Sequence, residues 1–178
     1  MTDDMIKLSD DFIAQMRHIL PDECDALLEA ITTTDPSVAI RVNDGLGISL
    51  SGDAVERVPW CTTGRYLKER MPFTFDIDFQ TGRYYVQDAS SMFIHHVIKH
   101  VVKEPVRYLD LCAAPGGKTT TAISALPTDS MVVANEIMPA RARVLHENIV
   151  KWGSPRCIVT NNAPHDLGKL HHFFDVVA

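Results

Sequence analysis

Apolar residues return at Phe12, Met16 and Ile19 or Leu20 behind Ser9, a three-to-four spacing that predicts an amphipathic helix capped by Ser9 and ended by Pro21. Pro21 suits the first turn of a second helix, with Cys24, Leu27, Leu28 and Ile31 on one side. From Ser37 to about Arg83 that rhythm is lost. Short apolar runs are broken by Gly45, Gly47, Gly52, Pro59, Gly64, Pro72 and Gly82, the texture of β-rich or irregular structure with frequent turns. Tyr84-Tyr85-Val86 then reads as a strand leading into a helix capped by Asp88, with Met92, Ile94, Val97, Ile98 and Val101 turned inward.

After Pro105 the pattern becomes regular. Strand-like runs at 106–111, 131–135, 157–161 and 174–178 alternate with helical segments at about 118–125 and 139–151. Alternation of this kind builds a parallel sheet with right-handed crossovers. The expected organisation is a small α+β module over residues 1–82, followed by an α/β sheet domain over 83–178. No repeat or low-complexity stretch interrupts it.

Composition refines this only a little. Of 178 residues, 46% are hydrophobic and 22% charged, as in an ordinary globular domain, and no apolar run approaches the roughly 20 residues of a membrane helix. The polar, acidic start carries no secretory signal, so the expected address is the cytoplasm. The net charge of −6 is unevenly placed. Residues 1–35 hold nine acids against Lys7 and Arg17, leaving 15 bases and 14 acids elsewhere, so charge neither demands nor excludes a nucleic-acid partner. Cys24, Cys61, Cys112 and Cys157 lie far apart, without the close pairs of a metal site. Cys24, Cys61 and Cys157 are expected to be small reduced hydrophobes. His96 and His100 have metal-like spacing but no evident acidic third ligand, so no metal is expected; nothing in the pattern sets an oligomeric state.

The chemistry concentrates in Asp110-Leu111-Cys112-Ala113-Ala114-Pro115-Gly116-Gly117-Lys118-Thr119-Thr120, where the first parallel strand gives way to a helix. Ligands of open α/β sheets bind at such strand ends. Glycines let the backbone approach a ligand, and the helix start turns its positive end toward a carboxylate. Gly117-Lys118-Thr119 is reminiscent of a nucleotide-triphosphate loop, but Cys112 stands where that pattern wants glycine, and Pro115 stiffens the turn. A dinucleotide loop needs G-x-G-x-x-G, which is absent. S-adenosylmethionine needs only a tight turn and a downstream ribose acceptor, and Glu136 at the end of the second strand is placed to be that acceptor.

This loop resembles the first motif of the Nop/Nol/Sun family of RNA 5-methylcytosine methyltransferases, and the texture is most similar to its bacterial small-subunit ribosomal RNA members. Arg41-Val42-Asn43, Val58-Pro59-Trp60-Cys61 and Tyr85-Val86-Gln87-Asp88-Ala89-Ser90-Ser91-Met92 are similar to family landmarks. Asn135-Glu136 with Arg141, Leu145, Asn148 and Gly153 is similar to the second motif. The resemblance implies a partial Rossmann-like class I methyltransferase sheet, four of about seven strands, in the spatial order third, second, first, fourth. It implies S-adenosyl-L-methionine held by Cys112, Ala113, Ala114, Pro115, Gly116, Gly117, Lys118 and Glu136, with Cys112 as a small packing residue of the turn. It implies an RNA partner, ribosomal RNA in particular. Family members usually carry an Asp after the third strand to read adenine; here Ala163 stands there, and the alternatives are Asn162, Asp166 after a loop shift, or a weaker adenine contact.

Carbon 5 of cytosine is a poor nucleophile, and the family activates it by adding a cysteine thiolate at carbon 6. The segments bearing those cysteines are expected beyond Ala178, which would leave residues 1–178 inactive alone and the fourth strand as an exposed edge. Lys118 is the residue the resemblance aims at the reacting base. A non-catalytic S-adenosylmethionine- or RNA-binding protein and a P-loop nucleotide hydrolase are the alternatives.

Overall fold

The computed structural model describes residues 7–46 and 54–178. The turns expected at Gly47 and Gly52 lie outside them. The lead up to Pro36 is a compact unit of its own, containing α1 (Asp10–Ile19) and α2 (Cys24–Thr33). Ser9 caps α1 by accepting from the Phe12 N–H at 3.2 Å, as its position before an acidic first turn requires. Pro21 falls in the turn before α2 rather than within its first turn.

Residues 37–178 form the second unit. Its first sheet is antiparallel: β1 (Val38–Val42), β2 (Ala54–Arg57), β3 (Gly64–Leu67) and, after the short helix α3 (Ile77–Gln80), β4 (Tyr84–Val86), in the order β2-β3-β1-β4. Its alternation sets Ile40, Leu67, Phe73 and Tyr84 into one small core. Arg41 and Tyr85, opposite one another in the register, take the other face. The strand at 84–86 pairs with β1 at the edge of this first sheet.

Helix α4 (Phe93–Val101) follows a 3-10 turn at Ser90–Met92, and Asp88 accepts from the Ser90 N–H at 3.1 Å. Met92 and Ile98 are buried as the pattern predicts, and Ile94 packs against the main core. Val97 and Val101 are not: they face outward, and His95 takes the inner position. The buried stripe runs Met92, His95, Ile98 at three-residue spacing, which leaves 97 and 101 on the far side of the turn.

The second sheet is parallel. β5 (Arg107–Asp110), α5 (Gly117–Ala125), β6 (Met131–Asn135), α6 (Pro139–Trp152), β7 (Cys157–Thr160), the short α7 (Pro164–Leu167) and β8 (Val176–Val177) give the order β7-β6-β5-β8, which is third, second, first, fourth. The main core lies between β5–β6 and the helices, from Tyr108, Val132 and Ala134 to Ala122, Leu145, Ile149 and Trp152. Pro139 opens α6 and Gly153, at φ 74°, closes it. The expected α/β class and partial Rossmann-like sheet are what the chain forms. No helix among the described residues is long and apolar enough to cross a membrane.

Candidate cofactor-binding site

Strand β5 delivers Asp110 to the sheet's carboxyl end, where it is buried. Burial pushes its carboxyl above the usual range; the Thr119 hydroxyl, the Lys118 charge and the Cys112 N–H pull the other way. Thr119 Oγ1 donates to Asp110 Oδ2 at 2.6 Å, tying the strand end to the first turn of α5. A nucleotide-triphosphate loop keeps that hydroxyl for a metal ion. Here it is sealed from solvent and already engaged, which argues against that alternative.

The turn between them is built around Gly116, at φ 109°. A side chain there is strained, and its Cβ would lie 3.2 Å from Leu145 Cδ1. Gly117 has no such requirement: a Cβ on it would meet Tyr85 Cε1 at 3.4 Å and Gln87 Nε2 at 3.6 Å. The Ala114–Pro115 peptide is cis. The loop's carbonyls are taken up by the protein. Arg141 Nη2 donates to Ala114 O at 2.8 Å, and Asn148 Nδ2 (2.8 Å) and Tyr85 Oη (3.3 Å) donate to Pro115 O. Thr120 Oγ1 donates to Gly116 O at 2.9 Å and Thr121 Oγ1 to Gly117 O at 2.8 Å. The first N–H groups of α5, in contrast, have no intrahelical acceptor, and the helix dipole adds to their positive end. The loop therefore offers donors and consumes acceptors.

Glu136 follows β6 and is 2% exposed. Its backbone is fixed by Thr160 O and by Asn161 Nδ2, which donates to Glu136 O at 2.6 Å and Ile137 O at 3.0 Å. Its Oε1 accepts from the Met138 N–H at 3.0 Å, and Oε2 lies 3.5 Å from Arg141 Nη1. A carboxylate has about four acceptor sites, so half of this one stays available. Arg141 thus joins Glu136 to the Ala114 carbonyl, and the two sequence motifs become one site. Beside it, buried Asn135 donates to Leu111 O and Asn162 O and accepts from Thr160 and the Asn162 N–H, locking the ends of β5, β6 and β7 together.

Ala113 and Ala114 fill the interior side of the turn. Cys112 is exposed, so it is not the packing residue that the resemblance implies; the interior positions of the turn are those of Ala113 and Ala114. Pro115 and Lys118 are exposed as well. Ala163 caps α7, and the Asp166 carboxylate is occupied by Lys169 at 2.6 Å and faces His165 at 3.4 Å. Cys24 and Cys61 are buried and Cys157 half-buried, where desolvation lifts its thiol to about 12. Sequence reasoning gave no role to Tyr85, Gln87, Thr119 to Thr121 or Asn161. For Tyr85 and Gln87 the signal was their place in a family landmark; for Asn161 there was none. A cleft lined by Asn43, Ser124, Trp152 and Arg156 opens at the far ends of α5 and α6, and none of the loop residues lines it.

Residues 8–89 match the family model for the N-terminal domain of 16S rRNA methyltransferase RsmF, and residues 99–177 that for 16S rRNA methyltransferase RsmB/F. Ribosomal RNA small subunit methyltransferase F of Pectobacterium atrosepticum is 31% identical over 183 residues, covering 94% of this chain and 37% of that protein. The protein of the same description from an Enterobacter species is 29% identical over 174 residues, covering 90% and 36%. The crystal structure of a methyltransferase homolog protein from Pyrococcus horikoshii is similar at a TM-score of 0.79 and 27% identity, covering 96% of this chain and 58% of that one. The chain spans little more than a third of the length of the two ribosomal RNA methyltransferases.

Proposed function

The chain belongs to the RsmB/F family of 16S rRNA methyltransferases, and from that premise we propose that it binds S-adenosyl-L-methionine and serves transfer of a methyl group to carbon 5 of a cytosine in 16S ribosomal RNA. The observation that carries the cofactor assignment is the buried, half-satisfied Glu136 carboxylate, tied through Arg141 to the donor-rich turn at Ala114 to Lys118. When bound, the cofactor supplies an electrophilic methyl group.

The residues of this chain bind and orient. Glu136 accepts from the two ribose hydroxyls with its remaining lone pairs. The Gly117 and Lys118 N–H groups receive the carboxylate at the positive end of α5, and Gly116 keeps the turn tight enough for backbone approach. Asn162 reads the adenine edge, since Ala163 has no polar atom on its side chain and Asp166 is held by Lys169. Lys118, exposed on the first turn of α5, orients the cytosine ring. Cys112 lines the turn without taking part in bond making. In the family's pattern the thiolates that activate cytosine stand in segments after the fourth strand, so the part assigned to these residues is the cofactor side of the reaction.

Titration calorimetry of the full-length protein with S-adenosylhomocysteine and with ATP tests the first half: binding of the former and none of the latter is expected. Incubation with methyl-labelled cofactor and 16S ribosomal RNA, followed by nucleoside digestion, tests the second. Label outside 5-methylcytidine, or affinity for ATP alone, refutes the assignment.

A further inference from the structure

Arg41 belongs to a landmark of the family resemblance and lies outside the cofactor loop. Among the described residues it is the largest side chain sealed entirely from solvent, on the face of β1 turned toward α5. Its Nε donates to Gln87 Oε1 at 3.0 Å, Nη1 to Ser124 Oγ at 3.2 Å and Nη2 to Thr120 Oγ1, while its Cζ lies 4.4 Å over the Trp152 ring. Among the described residues no carboxylate pairs with it. Burial lowers its pKa to about 10, so it keeps its charge at neutral pH. Holding an unpaired cation out of water is costly, and an apolar side chain of similar size would join β1 to α5 at less expense. The charge itself therefore asks for a use.

The acceptors of Arg41 lead to the loop. Thr120 Oγ1 in turn donates to Gly116 O at 2.9 Å. Thr121 Oγ1, with one hydrogen to donate, lies 2.8 Å from Gly117 O and 3.1 Å from Gln87 Oε1, so its bond to Gly117 O is made independently of Gln87. Ser124 Oγ donates back to Thr120 O at 3.2 Å. In a planar trans peptide, a carbonyl drawn inward turns the next N–H outward. Holding Gly116 O and Gly117 O therefore aims the N–H groups of Gly117 and Lys118 toward a ligand.

We propose that Arg41 is a positioning residue for the cofactor loop: it fixes the Gly116 peptide through Thr120, and its charge, which no carboxylate among the described residues pairs directly, selects an occupant bearing a carboxylate. This rests on the S-adenosylmethionine reading above. The guanidinium is level with the first two turns of α5, roughly 5–8 Å along the axis from the helix start. A ligand carboxylate at that start lies near enough to respond to it.

The test compares S-adenosylhomocysteine with 5′-methylthioadenosine, which shares the nucleoside and sulfur but lacks the amino-acid carboxylate, by calorimetry on the full-length protein, with unfolding temperatures in parallel. Arg41→Met should weaken S-adenosylhomocysteine roughly tenfold, the effect of one charge about 10 Å away at an effective dielectric of about 20, and methylthioadenosine far less. Arg41→Lys, which keeps the charge, should recover most of the loss. Equal losses for both ligands, or no loss for either, overturn the proposal. If Arg41→Met does not fold, Arg41→Gln removes the same charge while keeping an amide that can donate to its neighbours, and the same comparison decides. Failure of the unmodified protein to bind either ligand overturns the cofactor reading and this inference with it; binding without altered selectivity overturns the role of Arg41 alone.

Discussion

Two adjacent glycines in the loop should respond oppositely to the same small change. Gly116 sits at φ 109° and ψ 1°, beyond the region an alanine occupies comfortably, which costs about 1–3 kcal/mol. Its new Cβ would also press on Leu145 Cδ1 at 3.2 Å in a core with no free space, adding about 1 kcal/mol. Gly116→Ala is therefore expected to lose about 2–4 kcal/mol. For a chain of this size that is a fall in Tm of roughly 4–16 °C. Gly117→Ala adds a Cβ in ordinary contact with Tyr85 and Gln87 at an unstrained helical position. Its stability should stay within about 0.5 kcal/mol of the parent or rise slightly. Urea and thermal unfolding of the two variants and the parent, followed by circular dichroism, measure the difference. Gly116→Ala unfolding with the parent, or Gly117→Ala falling as far as Gly116→Ala, would refute the argument from backbone geometry.

Glu136→Ala should weaken S-adenosylhomocysteine by about 2–4 kcal/mol, since two charge-assisted bonds to the ribose are lost, and unchanged affinity by calorimetry would remove Glu136 from the site. Asp110 has its pKa raised by burial, so its contribution to stability is present below the unfolded value and lost as pH rises through the folded one. Asp110→Asn, which keeps an acceptor for Thr119, should accordingly gain on the parent as pH rises from 4 to 7; a constant difference between their urea midpoints contradicts this. At Gly82, at φ 71°, an added Cβ would fall 1.8 Å from Lys151 O, so Gly82→Ala should cost about 3 kcal/mol or more, and a Tm within 2–4 °C of the parent (a change near 1 kcal/mol) would show that the α6 terminus yields.

The second sheet was legible because its signals are local. Strand and helix periods alternate cleanly after Pro105, and the resemblance supplied the strand order that periodicity alone cannot. The loop and Glu136 were legible for the same reason. Their union through Arg141 was visible only as a motif, because its two partners stand 27 and 5 residues away in different segments. Arg41 reaches Thr120 across 79 positions and Tyr85 reaches Pro115 across 30, contacts that leave no periodic trace. The inward turn of His95 was hidden because the apolar residues of α4 form a single face, and the helix is rotated so that only the edge of that face, at Ile98, and His95 beside it point inward. Between Gly116 and Gly117, composition is silent; only φ tells which needs to be glycine.

Strand β5 is flanked in the sheet by β6 and β8, both later in the chain. During synthesis it leaves the ribosome before either neighbour exists. Its partner on one side, Met131 to Ala134, follows within about 25 residues, but Val176 and Val177 arrive about 70 residues after Tyr108 and Leu109, roughly 4–14 s at ordinary elongation rates. For that interval the backbone edge of the segment that leads into the cofactor loop is unpaired. A nascent chain stalled before Val176 should therefore be captured by chaperones or by other strands far more readily than one stalled beyond Ala178. The order that places the loop at the centre of the sheet makes its supporting strand the last to be enclosed.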